Sequence, residues 1–73
     1  MTREQEVRES IERIESEIDS RSLQMVLQAI ETICDEKAQH IRENWQDEGL
    51  AQLWEQAAMV MSKASNNQAV QVL

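Results

Sequence analysis

The chain has 73 residues, with 14 acidic side chains against 7 basic ones, a formal net charge of −7, and hydrophobic and aromatic contents of 41% and 3%. A domain this small buries only about 60% of the surface its unfolded chain exposes, leaving little room for an enclosed active site, so an enzyme is not expected. The acidic balance argues against direct binding of nucleic acid, and the lack of any apolar run of about 18 residues argues against a membrane span or membrane partner. With a charged opening segment that does not read as a secretory signal, a cytoplasmic protein is expected. The single cysteine, Cys34, excludes an internal disulfide or a Cys-based zinc site, and nothing in the chain calls for a cofactor.

There is no proline and one glycine, and Glu, Gln, Ala, Arg, Leu and Met dominate, so the fold class is all-α. The first helix is predicted over residues 2–18, with Thr2 as its N-cap. Its apolar residues Val7, Ile11, Ile14 and Ile18 are spaced 4, 3 and 4, a narrow stripe that suits a helix–helix seam. The pairs Glu4–Arg8 and Glu9–Arg13 support this helix by roughly 0.2–0.5 kcal/mol each.

From Ile18 to Leu23 is five residues, about 500° of rotation, so an unbroken helix would put the two stripes on different sides. A break is therefore predicted within Asp19-Ser20-Arg21-Ser22, with Asp19 or Ser20 as the cap; a continuous helix with a rotated stripe is the alternative. The second helix, the long central one, is predicted over 22–48. Leu23, Leu27, Ile30, Cys34, Ile41 and Trp45 form its core face, widened by Val26 and Ile33. Gly49 is expected to end it in the left-handed conformation. The third helix is predicted over 50–64, carrying Leu50, Leu53, Trp54, Ala57, Val60, Met61 and Ala64, with Trp45 and Trp54 near each other at the hairpin tip. Residues 1–65 then make one helical domain and 66–73 a flexible tail.

The first helix is expected to fold back over the N-terminal half of the central helix and the third over its C-terminal half. That leaves apolar residues over, and homodimerisation into a helical bundle is the simplest way to bury them; a compact three-helix monomer is the alternative. The expected oligomer seam is Val7, Ile11, Ile14, Ile18, Val26, Ile33 and Val60.

No catalytic or metal-binding group stands out. Cys34 lies between Ile30 and Ile41 and reads as core filler, with His40 about 240° further round the helix. His40 shares a strip with Glu36, Glu43 and Asp47, residue types that hold metal in bundle cores, but the strip lies opposite the apolar stripe and reads as a solvated face. Lys37 interrupts the apolar stripe, where its stem can lie along apolar surface while its ammonium reaches solvent or a glutamate of the first helix. Met25, Met59, Trp54, Val70, Val72 and Leu73 are the candidate contacts for a protein partner. The expected function is that of a small acidic protein-binding module, an adaptor, regulator or assembly factor working through apolar helical surface. The alternative is an acidic antagonist of a nucleic-acid-binding protein, since residues 1–48 hold 13 of the 14 acidic side chains.

Overall fold

The computed structural model describes residues 2–73, which form four helices and no strand: α1 (Arg3–Ser20), α2 (Leu23–Asn44), α3 (Glu48–Ser65) and α4 (Gln68–Gln71). Each start is set by a short polar side chain that accepts an otherwise unpaired N–H. Thr2 accepts the Gln5 amide at 3.2 Å while Gln5 Oε1 accepts the Thr2 N–H at 3.2 Å, a reciprocal capping box. The Ser22 hydroxyl accepts from Met25, the Asp47 carboxylate from Leu50 and the Asn67 amide oxygen from Ala69, at 3.1, 3.0 and 2.9 Å.

The break between α1 and α2 falls inside the predicted window, but Ser22 makes the cap, and Asp19 and Ser20 stay in the last turn of α1. Arg21 closes α1 and Ser22 opens α2, so no spacer separates the helices. The Ser22 backbone is extended, with φ 179°. The expected fold-back does not occur: α1 buries none of its residues, and Val7, Ile11 and Ile14 are exposed along it. With an extended Ser22 and no left-handed step in the link, α1 does not reverse onto α2 and leaves the hairpin as an arm.

The second reversal also differs from expectation. Helix α2 ends at Asn44, not residue 48. Trp45 closes it by donating its N–H to the Ile41 carbonyl at 2.9 Å, and Gln46 takes the left-handed step with φ 52°. Gly49 does not end α2 and has no positive φ; it lies in the first turn of α3. The reason is the Asp47 cap, which starts α3 two residues before the glycine and so moves the left-handed position back to Gln46.

Helices α2 and α3 run antiparallel, tied at one end by the Gln24 amide donating to the Ser65 carbonyl at 2.9 Å and at the other by Arg42 with Glu48. The buried residues are Cys34 and Ala38 of α2 and Ala51, Ala58 and Ser65 of α3. On α3 these recur every seven residues, a seam of small side chains that lets the two backbones approach closely. Of the large residues expected in the core, Leu23, Leu27, Ile41, Trp54 and Met61 are half-buried beside this seam, Ile30, Leu50, Leu53 and Trp45 are exposed, and no large side chain is fully buried. Trp45, beyond the last turn of α2, is 73% exposed and shares no core with Trp54. Where a tail was expected, α4 forms one helical turn with Val70 half-buried. The result is a flat angle of two arms, 38 × 37 × 15 Å, with a radius of gyration of 14.5 Å. A compact chain of this length would have a radius of about 11 Å.

Candidate protein-binding surface

The surface is a direct consequence of where the seam runs. At about 100° per residue from Ala58, the α3 residues Trp54, Met61, Leu50, Ala57, Ala64, Leu53 and Val60 fill an arc of about 160°, of which only one edge meets α2. The matching arc on α2 runs from Cys34 through Leu27, Ile41, Ile30 and Val26 to Ile33. Because the helices are antiparallel, both arcs open on the same side of the hairpin. That side exposes Ile30, Ile33, Leu50, Leu53 and Val60, with Leu53 60% accessible.

Two concavities follow this face. One, in the crook between the arms, is lined by Ile14 and Arg13 of α1 and by Met25, Val26, Ile30 and Ile33 of α2. The other is lined by Ile33, Lys37, Ile41 and Trp54, with Glu36 and His40 at its rim. Ile33 belongs to both, so one apolar path runs from the base of α1 to the Trp54 ring. The Lys37 ammonium stands 5.5 Å from the centre of that ring, where the ring face attracts the charge and its own stem covers apolar surface.

The opposite side of the hairpin is polar. Arg42 donates from Nε and Nη2 to the two Glu48 oxygens at 2.7 Å each, and Nη2 also pairs with Glu55. The guanidinium hydrogen bonds hold the Glu48 carboxyl below the usual carboxylate range, and the two glutamates raise Arg42 in turn. The cluster clamps α2 to the start of α3 across the turn. Its members are largely solvated, so it fixes geometry more than it adds stability.

The expected seam residues divide. Ile14, Val26 and Ile33 converge on the crook, with Ile18 half-buried at its apex, while Val7 and Ile11 continue the stripe outward along α1. Val60 stands at the outer edge of the α3 arc, 58% exposed. Of the candidate partner contacts, Met25 joins the crook and Trp54 the neighbouring groove. Met59 does not join them: it lies on the polar side among Glu31, Asp35, Arg42 and Glu55. Val72 and Leu73 are exposed beyond α4, and Val70 is half-buried within it. Residues expected as core, namely Ile30, Leu50, Leu53 and Trp45, are surface, and the Arg42 cluster has no counterpart in the sequence reading. The width of the α3 apolar arc was the available signal, since a single neighbouring helix cannot cover 160°.

Cys34 is buried on the seam, as expected. His40 is exposed, with the Asn44 amide 3.1 Å from Nδ1, and among the described residues no three His, Cys, Asp or Glu side chains are placed to hold a metal ion. No helix among those residues is long and apolar enough to cross a membrane. Compared with family models, with characterised proteins and with solved structures, the chain matches none.

Proposed function

We propose that the chain is a small acidic protein-binding module, an adaptor, regulator or assembly factor, that works through its apolar helical surface and associates into a dimer whose helices complete a bundle. One observation carries the reading: the accessible surface is 5869 Å², whereas a compact monomer of 8.5 kDa exposes about 4,650 Å². The chain exposes about 1,200 Å² more than that, and Val7, Ile11 and Ile14 of α1 with Ile30, Ile33, Leu50, Leu53 and Val60 of the hairpin are among its exposed apolar side chains. Contiguous apolar patches beyond a few hundred Å² mark association surfaces in water-exposed proteins. Doubled, the excess falls in the range of permanent homodimer interfaces, about 2,000–5,000 Å².

Once the arcs are closed, Trp45 at the hairpin tip, Met59 on the polar side, and Val72 and Leu73 after α4 remain open to a protein partner. Aromatic and Met side chains are enriched at such contacts. Light scattering at micromolar concentration tests the association, with twice the mass of one chain expected. Partner capture tests the module: binding that survives high salt supports apolar docking and should fall with Trp45→Ala or Leu73→Asp. Capture that collapses steeply with salt would instead favour the acidic antagonist, for which charge supplies the affinity.

A further inference from the structure

We infer that two copies exchange their α1 arms, each α1 lying along the apolar α2–α3 face of the other copy. The inference rests on the protein-binding reading above and names the occupant of its surface.

The chain does not cover this face with its own arm. The reversal between α2 and α3 takes the three residues Trp45–Asp47 and a left-handed Gln46, whereas Arg21 and Ser22 alone join α1 to α2, with an extended Ser22. A second copy has no such restriction. The stripe on α1 from Val7 to Ile18 covers about 16 Å of helix and the α2 face from Val26 to Ile41 about 22 Å, so the face is long enough to take the whole stripe. The path they would share is continuous, since Ile33 lines both the crook beside Ile14 and the groove of Lys37 and Trp54. Two flat angular molecules related by a twofold axis can insert each arm into the other's crook with the same contacts made twice.

Charge gives the register. Lys37 is the one cation within the apolar face, and its ammonium faces the Trp54 ring rather than a carboxylate. On α1, Glu15 borders the stripe within its span, about 40° round the helix from Ile11, and enters no ion pair among the described residues, whereas Glu9 and Glu17 are taken by Arg13 and Arg21. An arm docked across the face brings an unpaired carboxylate to Lys37 and removes both from water, a pairing that penalises other registers. A pair of chains has roughly 2,400 Å² of surface beyond that of two compact monomers, an amount suited to a permanent dimer.

The test uses the full chain, which has only two lysines, Lys37 and Lys63. Equal amounts of 14N- and 15N-labelled protein are unfolded together, refolded, and treated with a carbodiimide that joins an ammonium to a carboxylate with no spacer. Exchange predicts that Lys37 links to Glu15 of α1, that about half of these linked peptides carry one light and one heavy strand, and that the fraction is unchanged on tenfold dilution. Links of Lys37 to α1 that are all single-isotope would overturn the exchange, as would dimers in which Lys37 links only outside α1; in both cases dimerisation itself stands. A monomer by light scattering would remove the second copy as occupant, leaving salt-resistant capture of another protein as the separate test of the module reading.

Discussion

The turn between α2 and α3 offers a sharp test, because the glycine that sequence logic assigns to it is not the residue that makes it. Gln46 holds φ 52°, a conformation that places Cβ against the following carbonyl and costs a non-glycine residue about 1–2 kcal/mol. Replacing Gln46 with Gly relieves that strain. The flexible glycine loses more entropy on folding, which offsets part of the gain, so the net stabilisation is about 0.5–1 kcal/mol. Gly49, in contrast, lies in the first turn of α3, and a Cβ added there would meet only Asp47 Oδ1 at 3.7 Å, an ordinary contact. Gly49→Ala therefore gains helix propensity without disturbing the Asp47 cap, about 0.5 kcal/mol for a first-turn position.

Both variants should raise the melting temperature, by about 2–8 °C for a domain of this size, when compared at one fixed protomer concentration. Gln46→Val should lower it, since a β-branched side chain tolerates the left-handed region worse than glutamine. Circular dichroism melts of the three variants decide the matter. Destabilisation by Gly49→Ala together with neutrality of Gln46→Gly would refute the reasoning, for it would return the reversal to the glycine.

Four further outcomes are expected. The Cys34 thiol should react slowly with a thiol reagent in the native protein and rapidly in denaturant, because it is buried on the seam; fast native labelling would contradict that position. Ala51→Leu should destabilise by about 1–3 kcal/mol in denaturant melts, since Ala51 is wholly enclosed between α2 and α3 and a larger side chain must push the helices apart. Glu48 has its folded-state pKa lowered by Arg42, so its contribution is present above the ordinary carboxylate value of about 4.3 and is lost as pH falls through the lower folded value. Any advantage of the wild type over Glu48→Gln should accordingly vanish on acidification, and an advantage that grew at low pH would reverse the assignment. The melting temperature should rise with protomer concentration, and a constant value across a hundredfold range would argue against coupled folding and association.

The helices themselves were legible because composition and caps act locally. Thr2 is readable as a helix start wherever the rest of the chain goes, and the phase slip after Ile18 points to a break within residues 19–22, although the choice of Ser22 over Asp19 or Ser20 as cap is not readable there. What was not legible depends on comparing distant residues. Gly49 carries the stronger textual signal for a turn, yet Asp47 wins because its carboxylate reaches the Leu50 amide, an outcome set by competition between two adjacent signals. The seam was misassigned for a related reason. Leu50, Leu53, Ala51 and Ala58 all lie on or beside the apolar side of α3, and periodicity alone does not say which edge of a wide arc faces the neighbour. The Arg42 cluster depends on the angle at which α3 starts, and the crook at Ile14 on the direction in which α1 leaves Ser22; neither is encoded in any single window of sequence.

The placement of the small residues ties these features together. Leucines at positions 51 and 58 would put large side chains between the helices and hold the backbones apart. With alanines there, the backbones come close enough that little side-chain volume fits between them, and the large residues of both helices are turned to one side. Alanine burial removes little apolar area from water, so most of the hydrophobic stabilisation available to this sequence lies in surface the single chain leaves open. A domain near the lower size limit for independent folding has few other sources, lacking a disulfide and a large core. The alanines therefore do more than permit close packing. They leave the apolar arcs of α2 and α3, with the stripe on α1, accessible, and under the dimer proposal burial of those arcs would add to stability as protomer concentration rises.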